Sequence, residues 1–141
     1  MNDLTIFYPV FTLILLVFLT GARLATLRYR AVNKDRELGR YYIDYKGDKE
    51  PRDVRIVSRS LINQFEVPTV FYVGAIIAYV TGQVDTLVIS LAWVFVALRY
   101  LHSYIHLGRN YVPHRFAVFL TSVAVLMVFW VVLAVAIIRA G

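Results

Sequence analysis

Four long apolar stretches set the main constraint on how this chain can fold. Each is close to the ~20 residues that a helix needs to cross a bilayer. Because hydrophobic residues make up 60% of the sequence, there is more apolar surface than a soluble core of this size could bury. The sequence therefore predicts an all-α integral membrane protein whose surplus apolar side chains face lipid. The stretches cover residues 4–26, 61–81, 86–105 and 116–138.

These stretches predict one domain, residues 1–141, built as an antiparallel up-and-down bundle of four transmembrane helices. The loop after the first span covers residues 28–54, whereas residues 82–85 are so few that the second and third spans must form a hairpin. Gly82 suits a helix C-terminal cap, and Pro113 suits the first turn of the fourth helix. With their polar ends included, the helical spans are predicted at about 4–26, 55–81, 86–107 and 114–138.

Basic residues gather at one predicted face of the membrane. Eleven of the 15 Lys and Arg residues fall within residues 23–59 and three within residues 99–115, which leaves Arg139 alone at the opposite face. The positive-inside rule therefore places both connections in the cytoplasm and both termini on the non-cytoplasmic side. The net charge of +6 does not indicate a nucleic acid partner, because the basic residues flank apolar segments and no nucleic-acid-binding motif accompanies them.

The second span opens with a polar face. Arg59, Asn63 and Glu66 are spaced at i, i+4 and i+7, which places them on one side of a helix. An ionised carboxylate at Glu66 lies inside the span and needs a partner or a hydrated pocket. Pro68 predicts a kink beside it, because proline removes a backbone donor. The face is a candidate binding site, and the alternative is a structural ion-pair network between Arg59 and Glu66 that fixes helix register.

The third span ends with a polar stripe. Arg99, His102, His106 and Arg109 lie near one side of the helix at i, i+3, i+7 and i+10. The two histidines have a spacing that metal ligands use, but no HExxH pattern is present and Glu66 is the only carboxylate that can be proposed as a third ligand. We therefore predict no metal site. Interfacial anchoring is the alternative for these rings, whereas the stripe shared with Arg99 favours a face turned toward the second helix.

Arg115 lies at the predicted start of the fourth span. The positive end of the helix dipole would reinforce its cationic field and favour an anion there. The alternative is an arginine that extends to the headgroup level and only sets topology. The sequence contains no cysteine, which excludes disulfides, thiolate nucleophiles and cysteine metal sites of the chain itself.

These motifs resemble the MAPEG superfamily, the membrane-associated proteins in eicosanoid and glutathione metabolism, across most of the chain. The family pattern Arg-x3-Asn-x2-Glu is matched by Arg59, Asn63 and Glu66, and its Arg-x2-His pattern is matched by Arg99 and His102. The resemblance implies a homotrimer with sites between neighbouring subunits. It also implies glutathione as a co-substrate. The chain looks more like uncharacterised bacterial members, which implies a bacterial inner membrane.

The resemblance also implies roles for single residues. Arg115 falls where several members carry the arginine credited with stabilising the glutathione thiolate, and Arg23 resembles the family arginine at the end of span one. The remaining cofactor-binding candidates are Arg59, Asn63, Glu66, Arg99, His102 and His106. Arginines suit the two carboxylates of glutathione, a glutamate suits its amine and a cation suits its thiolate.

Three positions depart from the prostaglandin-synthase-like members of the family. Ile62 replaces an arginine, His106 a tyrosine and Phe116 a serine. Two hypotheses follow. The first is a glutathione-dependent transferase or peroxidase that acts on a lipophilic electrophile. The second is a non-catalytic member that binds a lipid or a partner protein and uses the same polar residues to hold the trimer together.

Overall fold

The computed structural model describes residues 3–47 and 49–140, and over those residues every regular element is helical. A single 3-10 turn at Leu4–Ile6 leads into the first helix. The helices are α1 (Phe7–Lys34), α2 (Glu37–Asp44), α3 (Arg52–Val80), α4 (Thr86–Leu107) and α5 (Val112–Ala140). All but α2 are long and apolar enough to cross a membrane. The predicted all-α class with four apolar spans is therefore confirmed.

The helices run further than the apolar spans predicted from hydropathy. Helix α1 continues past residue 26 to Lys34, and α3 begins at Arg52. Residues 27–34 are mostly good helix formers, so the backbone hydrogen bonding persists after the apolar run has ended. The predicted loop is thereby shortened, and it contains the short helix α2.

The connection between α3 and α4 is capped at both ends, as the sequence predicted for Gly82. Gly82 has φ of +67°, a left-handed conformation that glycine adopts without steric cost. The N–H groups of Gly82 and Gln83 donate to the carbonyls of Tyr79 and Ala78 at 3.1 and 2.9 Å, the two bonds of a Schellman motif. The carboxylate of Asp85 accepts a hydrogen bond at the start of α4.

Three fully buried phenylalanines join the helices in the middle of the bundle. The ring of Phe71 on α3 lies 5.1 Å from that of Phe95 on α4 and 5.7 Å from that of Phe129 on α5. Helix α5 comes close to α3 beside these rings, at Gly74, where a Cβ atom would lie 2.7 Å from Phe129 and 3.2 Å from Trp130. Small residues allow such close helix contact in membrane proteins.

A second, smaller apolar cluster lies where the C-terminal half of α1 meets the start of α3. Leu24 of α1 packs there against Val54 and Val57 of α3, with Leu107 of α4 beside them. We call this end of the bundle, which carries the α1–α3 and α4–α5 connections, the basic end. It includes Arg28, whose guanidinium contacts the hydroxyl of Ser58 at 3.4 Å, the carboxylate of Glu50 at 3.7 Å and the ring of Tyr42 at 5.0 Å. These contacts hold α2 and the loop against α1 and α3.

Replacing Gly74 tests the close approach of α3 and α5. We expect Gly74→Ala to lower the free energy of unfolding by about 1–3 kcal/mol, because the new methyl group overpacks against Phe129. Gly21→Ala in α1 is the control, since its Cβ would meet nothing within 4 Å and alanine favours the helix by up to about 1 kcal/mol. The measurement is unfolding in detergent micelles, and equal stability of the two variants would contradict the packing.

Candidate functional site

A polar cleft lies between α3 and α5 at the basic end, with α4 as its floor. It consists of two cavities of about 260 and 220 Å³ that share Arg115. Helix α5 packs chiefly against α4 and less against α3, which leaves this space open. The outer cavity is lined by Arg52, Arg55, Ile56, Arg59, His106, Asn110 and Arg115, and the inner one by Asn63, His102, Val112, Arg115, Phe116 and Phe119.

The floor of the polar cleft is formed by the stripe on α4. Arg99, His102 and His106 are 3%, 5% and 2% exposed, so the stripe faces the bundle and not lipid. The guanidinium of Arg99 donates to the backbone carbonyl of Asn63 at 2.8 Å. The ring of Phe119 on α5 lies 5.9 Å from both the His102 ring and the Arg99 guanidinium, so it separates the deepest cation from the inner cavity.

Several polar atoms of this stripe are buried without a hydrogen-bond partner among the described residues. They are Nε and Nη1 of Arg99, both ring nitrogens of His102 and Nδ1 of His106. Leaving such a group unsatisfied costs about 1–3 kcal/mol, and more where it is charged. The arrangement therefore favours a polar occupant, either water or a ligand, that completes these hydrogen bonds.

Arg115 is oriented by the turn that precedes it. Its Nη1 donates to Oδ1 of Asn110 at 2.7 Å, and Asn110 has φ of +51°, a left-handed conformation that asparagine tolerates. Arg115 lies in the first turn of α5, where unpaired backbone N–H groups add positive potential. None of the described residues that line the polar cleft carries a carboxylate, so the charge of the lining favours an anion.

The predicted site residues divide into two groups. The polar cleft brings together Arg59, Asn63, His102, His106 and Arg115, with Arg99 directly behind them.

Glu66 and Arg23 lie apart from this group. Both are exposed and line none of the cavities described here. Within the described part of the chain no ion pair joins Arg59 to Glu66. A single chain therefore contains no contact that supports the structural ion-pair alternative. Glu66 is near enough to attract Arg99 electrostatically, but not within ion-pair distance. Over the same residues no group of three or more His, Asp or Glu side chains could hold a metal ion.

Sequence reasoning missed Gln64, which lies between Asn63 and Glu66 in the sequence. Its Nε2 donates to Oγ1 of Thr20 at 3.0 Å and to Oγ of Ser103 at 3.3 Å, so it ties α3 to α1 and α4. Gln64 is 3% exposed and its Oε1 has no partner among the described residues. A polar side chain next to Asn63 in an apolar run was the available signal, because adjacent helical residues face in different directions.

A large apolar cavity continues the seam between α3 and α5 beyond the polar cleft. Its volume is about 570 Å³, and almost no polar surface lines it. It begins at Val67 of α3, one turn past Asn63. The seam therefore changes from cationic at the basic end to apolar within the span. The lining residues are Val67, Val70, Val123, Leu126, Met127, Trp130 and Val131.

Four long apolar helices with a cation-lined cleft at one end define a multi-pass helical membrane protein. The family model of the MAPEG family matches residues 6–135. The chain therefore belongs to the MAPEG family, as its motifs indicated. No curated protein and no solved structure matches the chain.

Sulfate tests the anion site without reference to any substrate. We expect sulfate to stabilise the wild-type protein by about 1 kcal/mol at roughly five times its dissociation constant, because a ligand that binds only the folded state shifts unfolding by mass action. Arg115→Gln should lose most of this effect, whereas Arg139→Gln, at the exposed end of α5, should keep it. The measurement is the Tm in detergent, against chloride at equal ionic strength. Equal effects in both variants would contradict a localised anion site.

Proposed function

We propose that this protein is a glutathione-dependent transferase or peroxidase that acts on lipophilic electrophiles in the bilayer. The observation that carries the proposal is the seam between α3 and α5, where a cleft lined by cations and no carboxylate adjoins a large apolar cavity. A peptide thiol with two carboxylates suits the first part, and an apolar co-substrate suits the second.

Arginines of the polar cleft would bind the carboxylates of glutathione. Arg59 lines the outer cavity, and a guanidinium can bind a carboxylate with two parallel hydrogen bonds. Asn63 lines the inner cavity and offers a side-chain amide to the peptide backbone. His102 and His106 supply buried ring nitrogens without partners, which can bind the peptide or move a proton.

Arg115 is the residue proposed for catalysis. A cation beside the glutathione sulfur lowers the thiol pKa below its usual ~8.5 and raises the fraction of thiolate, which is the nucleophile. The thiolate would form a carbon–sulfur bond with the electrophile, and the displaced electron pair would leave with the leaving group or the opened ring oxygen. Asn110 acts here as a positioning residue, because its side chain orients the Arg115 guanidinium.

A homotrimer would complete the site between subunits. Glu66 and Arg23 are exposed in one chain, yet a charged group inside a span is costly unless it faces protein or water. A second copy packed against these faces would cover both charges and add them to a neighbouring polar cleft. Glu66 would then pair with the glutathione amine, a role that the cleft of a single chain lacks.

The membrane arrangement extends this proposal. The four long helices would cross the bilayer in alternate directions, with the basic end in the cytoplasm and both termini outside, in a bacterial inner membrane. Cytoplasmic glutathione would then reach the polar cleft from the basic end. The lipophilic electrophile would reach the apolar cavity from the hydrocarbon region.

A second candidate is a non-catalytic member that binds a lipid or a partner protein. Phe116 lines the inner cavity and is 59% exposed, and Ile62 is 54% exposed on α3. These are two of the positions that depart from the prostaglandin-synthase-like relatives. Apolar side chains there favour an apolar neighbour, such as a lipid or a partner protein. A direct test must therefore distinguish the proposed thiol site from this alternative.

Glutathione titration followed by thiolate ultraviolet absorbance separates the two candidates. We expect a saturable thiolate signal in the wild type at neutral pH. The signal in Arg115→Ala should be at least tenfold weaker, because the cation that lowers the thiol pKa is lost; a tenfold change corresponds to about 1.4 kcal/mol. Arg139→Ala is the matched control and should behave as wild type.

Each other outcome has a defined meaning. No binding at millimolar glutathione would reject the proposed co-substrate and favour the lipid- or partner-binding candidate. A thiolate signal that persists in Arg115→Ala would remove Arg115 from its catalytic role. Conjugation of a generic electrophile, measured in the same variants, links the thiolate to turnover.

The trimer is tested by a mass measurement on the detergent-solubilised protein. We expect the mass of three chains, because the exposed charges at Glu66 and Arg23 need cover within the bilayer. Sedimentation or native mass spectrometry with the detergent contribution subtracted gives the number. A stable single chain that still shows the thiolate signal would remove the intersubunit site and leave the polar cleft sufficient.

A further inference from the structure

A further cavity lies beside the α4–α5 turn, apart from the polar cleft. Its volume is about 280 Å³, and it shares no lining residue with either part of the polar cleft. Three aromatic rings and the cation Arg109 dominate the lining, which consists of Tyr104, Ile105, Gly108, Arg109, Tyr111 and His114. We call it the turn cavity.

The basic residues of the α4–α5 turn line two separate cavities. The side chain of Asn110 holds Arg115 in the polar cleft. Arg109 and His114 line the turn cavity. Arg109 makes no hydrogen bond or ion pair with the part of the chain described here, and His114 makes one ring contact with Tyr111, at 4.7 Å between centroids. Both groups therefore retain free hydrogen-bonding capacity.

The turn cavity faces away from the helix bundle. Tyr104 is 78% exposed, and Leu101, one turn deeper on the same helix, is 45% exposed. The neighbouring positions His102, Ser103 and His106 are buried, so the bundle covers the other face of α4. At this place α4 has just ended and α5 has just begun, which is the level of the lipid headgroups for a helix that spans the bilayer.

We propose that the turn cavity binds the headgroup of an anionic phospholipid. Arg109 supplies the charge for the phosphate, and the hydroxyls of Tyr104 and Tyr111 supply donors for phosphate or ester oxygens. The acyl chains continue along the exposed side of α4 past Leu101. Since residues 86–141 contain no carboxylate, no acidic side chain on either helix opposes the phosphate. The proposal is independent of glutathione, because the two sites share no lining residue.

Native mass spectrometry of the detergent-solubilised protein tests this site. The probes are phosphatidylglycerol, phosphatidylcholine and inorganic phosphate, each added to the delipidated full-length chain. We expect phosphatidylglycerol to be retained more strongly than phosphatidylcholine, and Arg109→Gln to weaken its retention about fivefold, since one arginine near an anionic surface has roughly that effect. Arg109→Lys should retain most of the binding.

The matched control is Arg30→Gln, which removes the same charge from an exposed position on α1 at the basic end. It should leave lipid retention unchanged. An equal loss in both variants would show a diffuse charge effect and overturn the site, as would unchanged retention in Arg109→Gln. Equal retention of phosphatidylcholine would overturn the anionic headgroup, and displacement of the lipid by inorganic phosphate would make a soluble phosphate the ligand. Wild-type Tm in each variant shows that the fold is intact.

Discussion

The burial of one polar stripe inside an apolar helix governs much of this structure. Arg99, His102 and His106 lie within α4 and are almost completely covered, although a bilayer offers no water to satisfy them. The neighbouring helices must therefore cover these groups while leaving room for a polar occupant. The backbone carbonyl of Asn63 accepts one hydrogen bond from Arg99. The polar cleft between α3 and α5 leaves the room for a polar occupant.

Helical periodicity was sufficient to predict the parts of the site that lie on one helix at a time. The spacing of Arg99, His102, His106 and Arg109 predicted a shared face turned toward the second span. The structure places the first three residues against α3. Arg109 lies beyond the end of α4 and lines the turn cavity instead, so the prediction was wrong for this residue. Positions that depend on packing between helices were not predictable in this way. Gln64 is the example, since its partners Thr20 and Ser103 lie 44 and 39 residues away in sequence.

Hydropathy predicted four spans, but it could not predict where the helices end. Residues 27–34 are too polar to lie in lipid, yet they remain helical because most of them are good helix formers. Leu27 and Ala31 also pack against the cluster of Leu24, Val54 and Val57. Tertiary contact thus supports α1 beyond its apolar run, and Arg28 ties the loop to α3. Glu66 marks a different limit, because no described residue of a single chain lies within ion-pair distance of it and its environment depends on whatever covers α3.

Asn110 connects the chemistry of the site to the membrane surface. Its left-handed backbone closes the short turn after α4, and its side chain holds Arg115 toward the cleft. Arg109 and His114 line the turn cavity instead. A single turn thus separates the polar cleft from the turn cavity. The polar cleft opens toward an apolar cavity, and in the proposed function a soluble thiol and a lipophilic electrophile would meet there. The turn cavity would lie at the headgroup level of a bilayer, where a bound phospholipid would fix the depth of the apolar cavity.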